Sequence, residues 1–461
     1  MNIVREIRQR HPDSLLAVIS ETEKVSFGEL FDAVDQVTGL LQQHAAFQVE
    51  GIPRIGVRFP NGLAYIIVAL AVLQTGSCFV PIPDELTKTE RERLMNDTAL
   101  HAVVSATDDG QPLPLNLGHA AITTRKFVSP RFPVDEFEEL NPAFIRFSSG
   151  TTGSAKGVVL SHQSLYDRIH AANRGLQLQA GDRVLWILPM AHHFAVTIIL
   201  YLYYGVTTVL EQSHRPREIY QAALKHKANL LYGSPFHFAQ LAQCQTAGPL
   251  PDLRMAISTA SALKKEVAQE FEDRFNLPLT QALGIIEVGL PILNRKQTSL
   301  KPEALGQALP DYEVEIKQGE LLIKGPGMYD AYLLPWQRRE DDWFATGDLV
   351  TKDGETLTMQ GRSKSVINVA GMKVFPEEIE AVLDGHPAIK ESRVSAREHP
   401  TLGAFPAAEV VLTAGQDLPP AREMRDYCRR SLAAYKLPML ITRVESLPRT
   451  ASGKIRRDHH P

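Results

Sequence analysis

Short runs rich in apolar and β-branched residues alternate with helical stretches through most of the chain, and this alternation limits it to one broad class of fold. RIGVRF is followed by NGLAYIIVALAVLQTG, CFVPI, the charged TKTERERLMND and HAVVSA; the same rhythm returns at RVLWIL, TTVLE, NLLYGSP and LRMAIST. Strand, helix and strand in succession predict βαβ units, an α/β fold in which parallel sheets are covered by helices. Open sheets of this kind collect ligands at the carboxyl ends of their strands, and here those ends run into Pro, Ser or Gly. From about residue 305 the texture changes to GQALPDYEVEIKQGELLIKGPGMYDAYL, whose alternation and turn glycines predict a small β-barrel-like subdomain reaching residue 361. Beyond it, VFPEEIEAVLDGHPAIKESRVSA and REMRDYCRRSLAAY predict a compact α+β domain over 365–461, with a hinge at 362–364. At 461 residues the chain is long enough for a large N-terminal domain, 1–361, and this smaller one.

Composition excludes several roles. Apolar residues make up 44% and charged residues 22%, as in ordinary globular proteins. A net charge of -4 with interspersed signs argues against nucleic acid and against a polybasic membrane contact. Cys78, Cys244 and Cys428 form no pair spacing, as expected of incidental thiols in a reducing compartment. The start MNIVREIRQRHPDS reaches charge and proline too early for a signal peptide. YIIVALAVL is too short for the roughly 20 residues of a membrane helix, and FAVTIILYLYYGVTTVL breaks at Gly205 before a β-branched run. The second stretch is expected to be a buried helix leading into a strand, and the protein cytoplasmic with no membrane span.

FSSGTTGSAKG, residues 147–157, carries the first chemical signal. Glycines permit positive φ and close backbone approach, so successive N–H groups can converge on an anion; Ser148, Ser149, Thr151 and Thr152 add donors, and Lys156 adds charge. Phosphate is the ligand such a loop suits. The Walker pattern fails, because Ala155 precedes Lys156 and Gly157 follows it.

Four further segments occur in a fixed order after this loop: QALGIIEVG (281–289), ATGDL (345–349), GRSKSVINVAGMKVFPEEIE (361–380) and LPRTASGKIRR (447–457). With the loop, they resemble the AMP-forming acyl-adenylate synthetases, the family of acyl-CoA and aryl-CoA ligases, nonribosomal adenylation domains and luciferases. The resemblance implies ATP and Mg²⁺ as cofactors. It implies that Ser148, Ser149, Gly150, Thr151, Thr152, Gly153 and Lys156 grip the β- and γ-phosphates, and that Thr259, Ala260, Ser261, Ala282, Leu283, Gly284 and Ile286 flank the nucleotide. Glu287 matches the Mg²⁺-linked glutamate, Asp348 the aspartate on the ribose hydroxyls, and Arg362 the arginine beside it. Lys454 matches the lysine that reaches the α-phosphate and the attacking carboxylate. Two departures stand out: Leu283 and Ile286 replace a usual Tyr and Thr, removing an aromatic shelf and a hydroxyl near the α-phosphate. Weaker ATP affinity with retained activity is expected, since the charge-assisted contacts are the stronger ones.

PMAHHFAVTI, residues 189–198, resembles the family's acid-pocket segment, with His192 at a position that serves either packing or a direct role. The resemblance places His193, Phe194, Gly233, Ala282, Leu283 and Ile286 around the acid. No carboxylate lies within the HHFA stretch to neutralise an α-ammonium, so amino acids are disfavoured and an apolar aryl or fatty acid is expected. Lys364 matches the hinge, and Gly371 a glycine beside the thiol tunnel. The expected acceptor is the thiol of coenzyme A or of a phosphopantetheinyl carrier protein acting in trans. The expected function is that of an acid:thiol ligase, with a carrier-loading enzyme and a non-catalytic nucleotide-binding homologue as the alternatives.

Overall fold

A computed structural model describes the chain except residues 107–109, 114–119, 127, 148–155, 261, 296–298, 370–371, 400–402, 450–454 and 457–461. By its contacts it divides into two compact units, one of residues 1–313 with 324–342, the other of residues 314–323 with 343–461.

The first unit holds two nine-stranded sheets. In one, Leu16–Ile19, Thr207–Leu210, Arg183–Trp186, Leu230–Gly233, Met255–Ser258 and Leu279–Ile285 run parallel to one another. Gly289–Leu293 then pairs antiparallel with Leu279–Ile285, so the chain reverses through Ile286, Glu287 and Val288 at the strand's carboxyl end. In the other sheet Arg54–Arg58 lies between Cys78–Pro81 and Ala102–Ser105, and Cys78–Pro81 is parallel to Pro142–Phe147. Burial on both faces explains why these strands read as continuous apolar runs. The helix Leu63–Gln74 is buried from Tyr65 through Leu73, which is why YIIVALAVL shows no polar face. The stretch after Phe194 is a π-turn, Phe194–Ile198, then the helix Ile199–Tyr203, Gly205 at φ 71° and the strand Thr207–Leu210. Among the described residues no helix is long and apolar enough to cross a membrane.

In the second unit, Glu313–Lys317, Glu320–Lys324, Phe344–Asp353 and Thr356–Arg362 form an open four-stranded sheet, and no closed barrel is present among the described residues. Four strands with two unpaired edges do not close on themselves, which corrects the expectation of a barrel-like subdomain. The remaining strands make a five-stranded sheet, and Ile379, Leu383, Met424 and Cys428 of the helices Pro376–Asp384 and Ala421–Arg429 join its apolar core. The stretch 361–364, read from sequence as the domain boundary, falls inside this unit rather than between the two.

Two buried histidines give the first unit a pH dependence. His162 accepts from the Ile3 amide at 3.2 Å and His237 is bonded to Ser234 Oγ at 2.8 Å. Burial lowers both rings from 6.5 to about 4, helped by the N-terminal charge at His162 and by His214 at His237. The unfolded chain therefore takes up protons below pH 6.5 that the folded protein refuses, and stability falls as pH drops from 6.5 toward 4. Urea unfolding is expected to show a loss of about 2 kcal/mol per histidine between pH 8 and pH 5, diminished by substitution of either ring.

Candidate active site

The strands Pro142–Phe147 and Gly157–Ser161 pair antiparallel, with Phe147 opposite Gly157, so the phosphate-loop segment connects two neighbouring strands. Ser148 to Gly153 lie outside the described residues, as does Ser261. Just after the loop, Ser161 accepts from the Ser164 amide and begins the helix His162–Leu176. Asp330 fastens this start, accepting from the Ser161 amide at 2.6 Å and from Ser164 Oγ at 2.8 Å.

Arg168, on the same helix, is 1% exposed. Its guanidinium donates twice to the Gly327 carbonyl, at 2.9 and 2.6 Å, and once to the Ile286 carbonyl at 3.1 Å. Gly327 has φ 67°, and a Cβ there would sit 2.3 Å from the Arg168 amide nitrogen, so only glycine permits the approach. The turn that bears Glu287 is thereby fixed to the segment around 327, and the Tyr329 amide closes it by donating to the Glu287 carbonyl at 2.7 Å.

Burial raises the Glu287 carboxyl above its usual value; the charges of Arg146 and Arg168 and the Tyr332 hydroxyl, 3.5 Å away, pull in the opposite direction. Tyr332 also presents its ring to Lys156, whose Nζ lies 4.2 Å from the centroid, a cation–π contact. Lys156 and Glu287 thus share one tyrosine. Nearby, the Thr259 amide donates to the Gly233 carbonyl at 3.0 Å and Thr259 Oγ1 to the Ala282 carbonyl at 3.2 Å, joining three strand ends. Ala260 is held at φ 77°, a conformation few non-glycine residues adopt. Gly284 is exposed, and a Cβ there would be 3.9 Å from Thr259 Oγ1, so the two face each other across a shallow gap. Leu283 and Ile286 are half-buried and Ala282 is buried, so no aromatic shelf replaces the missing tyrosine at this point of the strand.

The acid-pocket segment follows Arg183–Trp186. Asn61 holds its entry, accepting from the Met190 amide at 2.8 Å and donating to the Leu188 carbonyl at 2.9 Å. At His192, Arg146 donates to the main-chain carbonyl and approaches Nδ1 at 3.4 Å, while Nε2 bonds Glu85. Both ring nitrogens are engaged within the protein, so His192 stands as a fixed polar wall rather than a free acid or base. The Glu85 contact places a proton on Nε2. Glu85 sits below the usual carboxylate range: burial acts against this, and the His192 hydrogen bond with the charges of His192 and Arg146 outweighs it. His193 packs on Trp186 with ring centroids 5.5 Å apart. Phe194 is fully buried, its ring packed between Tyr65 and Phe79, which places it in the core beneath the segment rather than on an open pocket wall.

In the second unit Asp348 is 1% exposed at its side chain and accepts from Arg362 Nε at 2.9 Å, the two standing opposite in the ladder. The T-G-D stretch is a bulge, not a free turn: Leu322 pairs with Ala345 and Glu320 with Leu349, and Gly347 at φ 74° takes up the excess. Lys364 lies in the short helix Ser363–Ser365. Gly371 and Lys454 lie outside the described residues.

Sequence reasoning missed Arg146, Arg168, Tyr332 and Glu85. Only Arg168 left a local trace, since it falls on the buried stripe of its helix with Leu165, Ile169 and Ala172.

The profile of the AMP-binding enzyme family matches residues 4–333, and that of the AMP-binding enzyme C-terminal domain matches residues 378–454. The chain belongs to the AMP-binding enzyme family. This AMP-binding enzyme is 27% identical over 452 residues to the 2-succinylbenzoate–CoA ligase of Listeria monocytogenes serotype 4b, covering 96% of this chain and 95% of the relative. In fold it is similar to ATP-bound MatB from Rhodopseudomonas palustris, with TM-score 0.84 and 22% identity, covering 99% of this chain and 97% of the other. It is also similar to o-succinylbenzoate CoA synthetase from Bacillus subtilis in complex with its acyl-adenylate intermediate, with TM-score 0.82 and 22% identity over 98% and 96% of the chains. As a member of this superfamily the enzyme is an AMP-forming carboxylic acid ligase.

Arg168→Met leaves the Ile286 and Gly327 carbonyls without their donor. A loss of roughly 3 kcal/mol in urea unfolding is expected, because the buried contact is broken from one side; an unchanged midpoint would remove Arg168 from its structural role.

Proposed function

We propose that the enzyme activates a carboxylic acid as its acyl-adenylate, releasing pyrophosphate, and then passes the acyl group to a thiol. The observation that carries this reading is the placement of Glu287 at a strand's carboxyl end, among Arg146, Arg168 and the Tyr332 that also faces the phosphate-loop Lys156. A carboxylate oxygen attacks the α-phosphorus, the bond to pyrophosphate breaks, and both reactants begin as anions. Positioning and cationic stabilisation are therefore the main tasks of the protein. The phosphate loop with Lys156 holds the β- and γ-phosphates, Thr259, Ala260 and Gly284 flank the nucleotide, and Asp348 with Arg362 holds the ribose hydroxyls. Lys454 is the lysine for the α-phosphate and the attacking carboxylate.

Glu287 suits Mg²⁺, which takes few carboxylates and completes its shell with phosphate oxygens and water. Bound there, the ion would neutralise phosphate charge.

The thiol of coenzyme A is the acceptor favoured by the relatives, since the 2-succinylbenzoate enzyme is named a CoA ligase. A carrier-protein phosphopantetheine ends in the same thiol and would have to come in trans. For the second step Lys364 is the residue that matches the family's hinge position, and Gly371 the glycine that would leave room for the thiol. The acid is one with an apolar body, for which Ala282, Leu283 and Ile286 offer apolar surface, and not an α-amino acid. Glu85 does lie beside His192, but it is already engaged by the His192 hydrogen bond.

Pyrophosphate release across benzoates, cinnamates and fatty acids, followed by product mass with coenzyme A and with a carrier protein, tests the reading. Release with an apolar acid and a thioester product are expected; no release with any acid overturns it. Lys454→Ala is expected to abolish adenylate formation while thioester formation from a supplied acyl-adenylate persists, and Gly371→Leu to do the reverse.

A further inference from the structure

Arg146 is a charged group of the first unit to which the site, as read from sequence, gives no task. It stands at the end of the strand Pro142–Phe147, immediately before the phosphate loop. Two observations place it between the halves of the reaction. Its Nη1 donates to the His192 carbonyl and its Nη2 approaches His192 Nδ1 at 3.4 Å, which ties it to the acid-pocket segment. Its charge also acts on Glu287, which ties it to the nucleotide side. The carboxylate under attack has to lie where these two sides meet.

The donor inventory leaves something over. Arg146 Nε is shut off from solvent and has no hydrogen-bond partner among the described residues. The Tyr65 hydroxyl, also buried, is unpartnered as well, and each lies in the other's electrostatic field. Buried donors in proteins are almost always satisfied, so an unused N–H on a guanidinium beside a binding segment is a place for a group that arrives with a substrate. The acidic neighbours have other partners: Glu85 bonds His192, and Glu287 has Tyr332 and the charge of Arg168. Ile286 meanwhile stands where a hydroxyl close to the α-phosphate is usual in the resembled family, so this chain lacks that neutral donor.

We propose that Arg146 is a further substrate-binding residue of the first half-reaction, donating to the carboxylate of the acid and holding it against the repulsion of the α-phosphate. The proposal rests on the acyl-adenylate reading. One carboxylate oxygen stays on the guanidinium while the other forms the bond to the α-phosphorus; the Pα–O bond to pyrophosphate breaks and its electron pair leaves with pyrophosphate. Once the adenylate exists the carboxylate charge is gone, so Arg146 has little to hold in the thiol step.

The test uses the full-length enzyme and its Arg146→Gln and Arg146→Lys variants, in parallel assays of pyrophosphate release and of thioester formation from a supplied acyl-adenylate. In Arg146→Gln the KM for the acid is expected to rise roughly ten- to a hundredfold, as for loss of a charge-assisted contact, with the KM for ATP nearly unchanged. Arg146→Lys is expected to recover part of the loss, and the thiol step to keep its wild-type rate in both variants, which also shows that they are folded. An unchanged acid KM, or equal loss in both half-reactions, overturns the proposal. Absence of pyrophosphate release in the unaltered enzyme defeats the acyl-adenylate reading instead, so the two failures are told apart.

Discussion

One buried guanidinium organises the nucleotide side of this protein. Arg168 spends its donors on the carbonyls of Ile286 and Gly327, two segments far apart in the chain, and it does so from the helix that follows the phosphate loop. Burial lowers its pKa from 12.5 to about 10, with Tyr312, Asp330 and Glu287 opposing, so it stays charged at neutral pH. A buried charge is tolerated only when its hydrogen bonds are made, and those bonds here hold the loop's own helix, the Glu287 turn and the Tyr332 segment in one register. Tyr332 then reaches Glu287 with its hydroxyl and Lys156 with its ring. The candidate phosphate lysine and the candidate metal carboxylate are positioned by the same scaffold.

The candidate acid-pocket segment is arranged around a second guanidinium. Arg146 fixes the His192 backbone and faces its ring, Glu85 closes the other ring nitrogen, and Asn61 pins the entry at Leu188 and Met190. The π-turn Phe194–Ile198 follows at once, and such turns are frequent at functional sites. Phe194 is what anchors the turn, packed against Tyr65 and Phe79. A rigid polar wall over an aromatic core suits an acid whose body is apolar and whose reactive end is charged.

Much of the fold was legible because burial on both faces writes itself into composition. RVLWIL, TTVLE, NLLYGSP and LRMAIST are the parallel strands Arg183–Trp186, Thr207–Leu210, Leu230–Gly233 and Met255–Ser258, and their ends do converge on the site. The misreadings have physical causes. The four strands from Glu313 onward alternate as a barrel would, and alternation does not reveal whether the last strand returns to the first. Glu85 and His192 are 107 residues apart and Arg146 and His192 46 apart, contacts that only the packed sheets create. A lysine, an arginine or a glutamate on such an element reads by default as a solvated charge. Lys454 and the loop 148–153 rest on motif spacing.

The central claim is that an oxygen of the acid forms a bond to the α-phosphorus of ATP. The most direct measurement uses an acid labelled with ¹⁸O in its carboxylate, turned over with ATP and coenzyme A, with the label located by mass in AMP, pyrophosphate and thioester. Attack on the α-phosphorus followed by thiol attack on the acyl carbon leaves one ¹⁸O in the phosphoryl group of AMP and none in pyrophosphate. Label in pyrophosphate or inorganic phosphate, or none in AMP alongside thioester product, would contradict the account.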